Sequence, residues 1–272
     1  MCTELPQRLE AGAAVDPQFD RAHETSPSRP LPPLTANASL RWDVVQRLLP
    51  ADPGRVLEIG CGRGTVAARI ARRASHLVAV EPDKTSFALA KANLAGLGEV
   101  HNCMSFELDP DERFDTICAF EVLEHIADDQ AALTEWRAKL KPGGQLVLSV
   151  PAWQERFAEL DELAGHFRRY DPAQMEALLH EAGFTDITVE LYGFPAGHVL
   201  EAIRNALAKR SLAAGAHMLD IVERTAGSGR LLQPGKDWMN DLIALAARPL
   251  VWLQRLFPNR GVGLVARARK PG

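Results

Sequence analysis

Three glycines stand at alternate positions after an apolar run, at Gly60, Gly62 and Gly64. Glycine lacks a side chain, so it lets the backbone pass close to a ligand and adopt positive φ angles. A helical pattern follows the turn, and the first N–H groups of a helix have no partner within that helix. Such groups suit a ligand that lies in the crevice beside a sheet. The pattern therefore predicts a strand, a tight turn and a helix that together bind a small molecule.

The spacing of the glycines excludes two common nucleotide-binding loops. The dinucleotide fingerprint Gly-x-Gly-x-x-Gly would place its third glycine where the chain has Thr65. A phosphate-binding loop needs Gly-Lys-Ser/Thr, and this turn contains none. The remaining pattern, Glu-x-Gly-x-Gly-x-Gly, resembles motif I of the class I S-adenosyl-L-methionine (SAM) methyltransferases. The cofactor-binding residues that this motif implies are Glu58, Gly60, Cys61, Gly62 and Gly64.

Two acidic positions and the region after the third strand complete the implied cofactor site. The resemblance implies that Glu58, an acid within an apolar strand, lies near the methionyl ammonium of SAM, which gives a buried charge a partner. Glu81 follows the glycine turn by about 20 residues and can accept hydrogen bonds from both ribose hydroxyls. An acid stabilised by the next helix dipole is the alternative, which the neighbouring Pro82 also suits. The adenine is expected near Met104 and Ser105, where the acid usual in the family is not evident.

The stretch 114–126, with the letters Glu-Val-Leu-Glu-His at positions 121–125, resembles the fourth strand of the family and its carboxyl end. Ala119 and Phe120 are therefore assigned to cofactor binding, and Glu121 to acceptor binding. A Glu-x-x-Glu-His cluster binds a divalent metal in some relatives, including quinone-pathway O-methyltransferases, and its residue types suit such a site. Many other relatives carry the same letters without a metal, so we predict no metal here. His125 is kept as a candidate catalytic residue, with packing as the alternative.

Residues 161–172 contain Gly-His-Phe-Arg-Arg-Tyr and resemble a segment found in a bacterial subgroup of these methyltransferases, similar to the type 11/12 small-molecule enzymes. The segment leaves the fifth strand at the edge where open α/β sheets bind ligands. His166 and Tyr170 are candidate bases, with His166 preferred. Arg168 and Arg169 are candidates for pairing with an acceptor phosphate or carboxylate. The alternative is that these residues only lock the loop to the domain.

Strands and helices alternate along the chain, which indicates a parallel sheet covered by helices on both faces. The predicted strands are 56–60, 77–80, 99–104, 116–120, 145–150, 186–191 and a closing strand at 263–269. The predicted helices are 39–49, 64–74, 84–95, 128–140 and 172–182, followed by amphipathic helices at 198–210, 216–226 and 237–257, the last kinked at Pro249. The turn Pro142-Gly143-Gly144 precedes the fifth strand and marks the fold without doing chemistry.

The resemblance implies an α/β protein with a seven-stranded, mostly parallel, Rossmann-like sheet and a helical lid insertion. We expect an irregular N-terminal arm at 1–37, a SAM-binding core at 38–191, a helical insertion over the acceptor site at 192–261 and a closing core strand at 262–272. A helical C-terminal subdomain without a seventh strand is the alternative. The insertion is rich in apolar residues, which favours either a simple packed lid or a lid that shapes an apolar acceptor tunnel or touches a membrane surface.

Composition narrows the function further. The formal net charge of −4 argues against a duplex nucleic-acid partner. The cysteines form no Cys-x-x-Cys pair, and we expect buried, reduced thiols in a cytoplasmic protein without a signal peptide. We therefore expect a SAM-dependent methyltransferase that forms S-adenosyl-L-homocysteine and methylates a small or amphipathic acceptor, with O-methylation in specialised or lipid/glycan metabolism as the favoured reaction. The alternatives are N- or C-methylation of a natural product, an RNA or protein methyltransferase, and a SAM-binding regulatory protein without catalysis.

Overall fold

The computed structural model describes residues 30–213 and 249–272. Seven strands form one sheet in the order β3-β2-β1-β4-β5-β7-β6. The strands are β1 Arg55–Ile59, β2 His76–Val80, β3 Glu99–His101, β4 Phe114–Phe120, β5 Leu140–Pro151, β6 Thr185–Gly193 and β7 Gly261–Arg269. Only β7 runs antiparallel, against both β5 and β6. The predicted α/β class, with a mostly parallel Rossmann-like sheet, is confirmed.

Helices cover both faces of this sheet. They are α1 Ala36–Leu48, α2 Ala67–Ala71, α3 Lys84–Asn93, α4 Asp129–Lys139, α5 Glu159–Ala164, α6 Pro172–Glu181 and α7 Ala196–Ala213, and residues 249–254 are also helical. Thr35, Asp83 and Asp128 begin α1, α3 and α4, and each side chain accepts a hydrogen bond from a backbone N–H of the first turn. The inner strands β1 and β2 are buried on both faces, which explains their continuous apolar runs.

The structure corrects several predicted boundaries. The helix predicted over 64–74 covers only Ala67–Ala71, because Gly64 holds a φ of +74° and cannot belong to the helix. Helix α1 begins at Ala36, inside the predicted N-terminal arm, because Thr35 caps it. The Pro-Gly-Gly turn is part of an irregular stretch of β5, since the register with β4 shifts between Phe114 and Thr116.

The segment between β6 and β7, residues 194–260, is the insertion, slightly shorter than predicted because both strands extend further. Strand β6 ends at the same sheet edge as β5, and β7 starts there, so both ends of the insertion lie at the carboxyl edge of the parallel strands. The predicted helix 198–210 lies within α7. The predicted helix 216–226 and the first part of 237–257 lie outside the described residues. Within the two described ranges, no helix has the length and apolar character required to cross a bilayer.

Candidate active site

The glycine turn after β1 has the close approaches that require glycine. Gly60, Gly62 and Gly64 have φ angles of +66°, +55° and +74°. A methyl group added to Gly60 would come within 2.6 Å of Val122, whereas one added to Gly62 would meet nothing within 4 Å. Gly60 is therefore required by packing, and Gly62 borders open space that a ligand can occupy.

Glu81 ties the end of β2 to this turn. Its carboxylate accepts hydrogen bonds from the backbone N–H groups of Gly62, at 2.8 Å, and Asp83, at 2.9 Å. Burial raises the pKa of Glu81, and the two amide hydrogen bonds oppose that rise. The carboxylate is thus held at the mouth of the glycine turn, as a ribose contact requires.

Glu58 provides a test of whether the site fits SAM. The side chain is buried, and its Oε2 atom has no hydrogen-bond partner among the residues the structure describes. Burial raises its pKa to about 8. A buried carboxyl oxygen without a hydrogen-bond partner is unfavourable unless a cation or donor reaches it. The methionyl ammonium of SAM has the charge that this position requires, so the residues present fit the cofactor.

The other predicted cofactor residues occupy the same sheet edge. Cys61, Ala119 and Phe120 are buried at the ends of β1 and β4, whereas Pro82 is exposed. Ser105 is buried and donates to Glu135 at 2.9 Å. Met104 is 44% exposed, which leaves its side chain available to an adenine ring. Cys103 and Cys118 are buried, as predicted.

Glu121 follows β4 with a φ of +57°, a strained conformation for a residue other than glycine. Its carboxylate accepts from Ser149 Oγ at 2.9 Å and Tyr192 OH at 3.3 Å, and it pairs with Arg41 at 3.3 Å. Burial opposes ionisation, but Arg41 and Ser149 outweigh it and lower the pKa of Glu121. The predicted acceptor residue is therefore an ionised carboxylate fixed by three donors.

Glu124, His125 and His166 come together, with one ligand atom of each lying within 4.8 Å of the others. Glu124 is fully buried, and neither of its oxygens has a hydrogen-bond partner within the described part of the chain. Burial and the Glu121 charge raise the pKa of Glu124 well above its usual range. Burial and His166 lower the pKa of His125 to about 4. The group can hold a cation or keep a neutral carboxylic acid beside an imidazole, and the prediction that no metal is needed stays a prediction.

His166 is the candidate base that a carboxylate orients and whose second ring nitrogen faces Glu124. Its Nδ1 atom lies 2.8 Å from Asp161 Oδ1, and its Nε2 atom lies 4.0 Å from Glu124 Oε1. Helix α5 carries Asp161 and ends at Ala164, and the left-handed conformation of Gly165 turns the chain back toward the site. The backbone N–H of Phe167 then donates to the Glu124 carbonyl at 2.8 Å, which ties the loop to the end of β4.

The last three residues of the motif, at 168–170, pair with other side chains of the protein. Tyr170 is buried and its hydroxyl donates to Asp129 at 3.0 Å, while burial and Asp129 raise its pKa. Arg168 pairs with the same Asp129 at 2.6 Å. Arg169 is buried and donates to Asp161 through two nitrogen atoms. These contacts are the loop-locking arrangement considered as the alternative, so the structure brings only His166 of this motif to the site.

Four residues of the site were missed in the sequence analysis. They are Arg41 in α1, Asp161 in α5, Tyr192 in β6 and Glu201 in α7. Asp161 stands five residues before His166 within the stretch 161–172, and that spacing was the available signal. The other three lie in elements far from the motifs, and no local pattern marks them.

Comparison with known proteins gives consistent matches. A family model described as "Methyltransferase domain" matches residues 35–189. A ubiquinone biosynthesis O-methyltransferase of Bradyrhizobium diazoefficiens is 39% identical over 98 residues, which cover 35% of this chain and 39% of that protein. The chain therefore spans about two fifths of the length of the curated relatives that it matches first.

Solved structures show the same fold. A SAM-dependent methyltransferase from Mesorhizobium loti aligns with a TM-score of 0.56 at 17% identity, covering 86% of this chain and all of that chain. A phosphoethanolamine N-methyltransferase of Haemonchus contortus, in complex with phosphomonomethylethanolamine and S-adenosylhomocysteine, aligns with a TM-score of 0.55 at 18% identity, covering 85% of this chain and 53% of that chain. At these identities the likeness concerns the fold alone.

Proposed function

The chain belongs to the family of SAM-dependent methyltransferases, and on that premise we propose that it methylates an oxygen atom of a small or amphipathic acceptor, with His166 as the base. The observation that carries the proposal is the hydrogen bond between His166 and the buried Asp161 at the carboxyl edge of the sheet. A hydroxyl acceptor must lose its proton on methylation, and a positioned imidazole can remove that proton.

The glycine turn and two carboxylates are proposed to hold the cofactor. Gly62 leaves room for SAM beside the turn, Glu81 receives the ribose, and the buried Glu58 receives the ammonium. When bound, SAM supplies a sulfonium methyl group for in-line displacement by a nucleophile. The site then acts mainly by positioning the acceptor and excluding water.

Asp161 determines which nitrogen of His166 can take up a proton. An imidazole that donates its Nδ1–H to Asp161 presents Nε2 as the proton acceptor. That nitrogen points toward Glu124. We propose that the acceptor hydroxyl lies on this side, where the same edge carries the ends of β4 and β5.

The insertion is proposed to cover the apolar part of the acceptor. Both of its ends lie at the carboxyl edge, and Gln254 anchors the second end by accepting from Gly193 N–H at 3.0 Å and donating to the Leu40 carbonyl at 2.9 Å. Large apolar side chains are exposed on its described parts, namely Val199, Ile203, Trp252 and Leu256. The relatives named for ubiquinone biosynthesis support an acceptor with an oxygen nucleophile and a lipid-like portion. The alternative role that we propose for these exposed side chains is a peripheral contact with a membrane.

The test measures transfer of a labelled methyl group from SAM to matched acceptors: a phenol with a long alkyl chain, phenol itself, and an amine with the same chain. We expect methylation of the hydroxyl, with a lower KM for the alkylated phenol. His166→Gln should lower kcat by about 10²–10⁴-fold and leave S-adenosylhomocysteine binding unchanged. Transfer to the amine alone, or undiminished turnover by His166→Gln, would show that the proposal is wrong.

A further inference from the structure

We infer that Glu201, on the helix that opens the insertion, is a positioning residue for His166 and acts through Arg169 and Asp161. The inference rests on the proposed role of His166 as the base. It assigns to the insertion a part in orienting the base, beyond covering the acceptor. A continuous chain of charge-assisted hydrogen bonds through the buried Asp161, Arg169 and Glu201 supports it.

The first half of this chain fixes Asp161. Its Oδ1 atom lies 2.8 Å from His166 Nδ1. Its Oδ2 atom accepts hydrogen bonds from Arg169 Nη2 at 2.7 Å and from the Ala158 N–H at 2.9 Å. Arg169 Nε also lies 2.9 Å from both oxygens. The carboxylate is 0% exposed, so its orientation is determined by these donors. Whatever holds Arg169 in place therefore also holds the oxygen that orients the imidazole.

The second half connects Arg169 to α7. The guanidinium of Arg169 is 2% exposed and donates its remaining nitrogen, Nη1, to Glu201 Oε1. Glu201 is 8% exposed, and its Oε2 atom accepts from Arg156 Nε at 3.1 Å. Arg169 thus bridges one carboxylate beside the base and another on the insertion.

Charge alternates along this chain, from Asp161 to Arg169, Glu201 and Arg156, so its formal sum is zero. Removing the charge of Glu201 would leave Arg169 paired with Asp161 alone. A buried guanidinium with an unmatched donor is unfavourable. Asp161 alone would then balance the positive charge of Arg169. Asp161 would become a weaker acceptor for the imidazole N–H, and His166 would be held less firmly.

Apolar packing holds the two helices in the register that these contacts need. Leu160 and Leu163 of α5 form a small buried cluster with Ala208 of α7. Ala208 lies seven residues, about two helical turns, after Glu201, so both project from the same face of α7. The docking of α7 on α5 therefore completes the hydrogen-bond chain to the base.

The test uses Glu201→Gln in the full chain, with Lys209→Gln as the matched control. Lys209 lies on the same helix and is 75% exposed at the side chain. We expect Glu201→Gln to lower kcat by about tenfold, well short of the loss on removing the base, with the KM for SAM unchanged. The ¹⁵N spectrum of His166, assigned by comparison with His166→Gln, should show increased exchange between its two tautomers. Lys209→Gln should change neither quantity.

A double-mutant cycle separates positioning from a general structural effect. If Glu201 acts through Asp161, the kcat of Glu201→Gln combined with Asp161→Asn should be no lower than that of Asp161→Asn alone. Additive losses, or an unchanged kcat and His166 spectrum in Glu201→Gln, would overturn the inference. If instead His166→Gln and Asp161→Asn keep full turnover, the proposed base itself is wrong. S-adenosylhomocysteine binding by each variant reports whether it is folded.

Discussion

At the scale of single residues, the site depends on carboxyl groups in unequal surroundings. Glu121 is ionised because three donors surround it. Among the described residues, Glu58 Oε2 and both oxygens of Glu124 accept no hydrogen bond, and burial raises the pKa of both groups. Carboxyl groups whose environments separate their pKa values are typical of functional sites. The raised pKa values of Glu58 and Glu124 therefore lead to testable predictions.

Glu81→Ala should weaken SAM binding. The substitution removes charge-assisted hydrogen bonds worth about 1.5–3 kcal/mol, which corresponds to about a tenfold to hundredfold rise in Kd. Isothermal titration calorimetry with SAM measures the change, and Glu99→Gln on the neighbouring β3 serves as an exposed control. Equal affinities in wild type and Glu81→Ala would mean that Glu81 makes no ribose contact.

Glu58 should make the unliganded protein less stable as pH rises. Its pKa is about 8 in the folded chain and near 4.5 when unfolded, so between these values the folded state keeps a proton that the unfolded state has lost. The free energy of unfolding should therefore fall by up to about 1.4 kcal/mol per pH unit in this window. Thermal melts from pH 5 to 8 should show a smaller decline for Glu58→Gln, and equal declines would contradict the pKa shift.

Turnover should survive excess EDTA. Burial and the neighbouring Glu121 charge raise the pKa of Glu124, which disfavours the ionised form that a divalent cation requires as a ligand. Rates before and after chelation, with metal analysis of the purified protein, measure this. Activity lost with EDTA and restored by Mg²⁺ or Zn²⁺ would instead make Glu124, His125 and His166 metal ligands.

At the scale of elements, the turn between β1 and α2 combines two demands on glycine. Gly60 packs against Val122, whereas Gly62 borders open space, although both have positive φ. The two substitutions to alanine should therefore differ in what they damage.

Gly60→Ala should destabilise the fold more than Gly62→Ala. Each substitution places an alanine in the left-handed conformation, which destabilises the folded state by about 1–2 kcal/mol. Only Gly60→Ala also brings the new methyl group to 2.6 Å from another side chain. Gly62→Ala should mainly weaken SAM binding, because its methyl group enters the space beside the turn. Chemical denaturation and SAM titration of both variants check this, and the expectation fails if the Gly62 variant is the less stable of the two.

At the scale of the whole molecule, the insertion enters and leaves at the carboxyl edge of the sheet. Replacing residues 194–260 by a short turn should leave SAM affinity nearly intact and abolish methyl transfer, because the cofactor residues lie in the core and the acceptor cover is lost. Calorimetry and the labelled-methyl assay measure the two effects. A shortened protein that methylates its acceptor at the normal rate would disprove the lid.

The sequence by itself determined the sheet, the glycine turn and the cofactor. Each of these features is marked by a local signal, namely an apolar run, a glycine spacing or an acid at the end of a strand. Such signals lie within one short segment and do not depend on distant residues. The predicted closing strand is also present, as β7, because its apolar pattern suited a strand between β5 and β6.

Only the tertiary structure decided which polar residues of the loop after β5 face Glu124 and which pair with other side chains. Within the Gly-His-x-Arg-Arg-Tyr segment, Tyr170 donates a hydrogen bond to Asp129, and Arg168 pairs with the same carboxylate. Arg169 donates to Asp161 and Glu201. Asp129 lies 39 or more residues before Arg168 and Tyr170 in the chain. Glu201 lies 32 residues after Arg169, in α7. Spacing in the sequence does not determine where a loop side chain points, because its direction depends on charges that folding brings from distant elements.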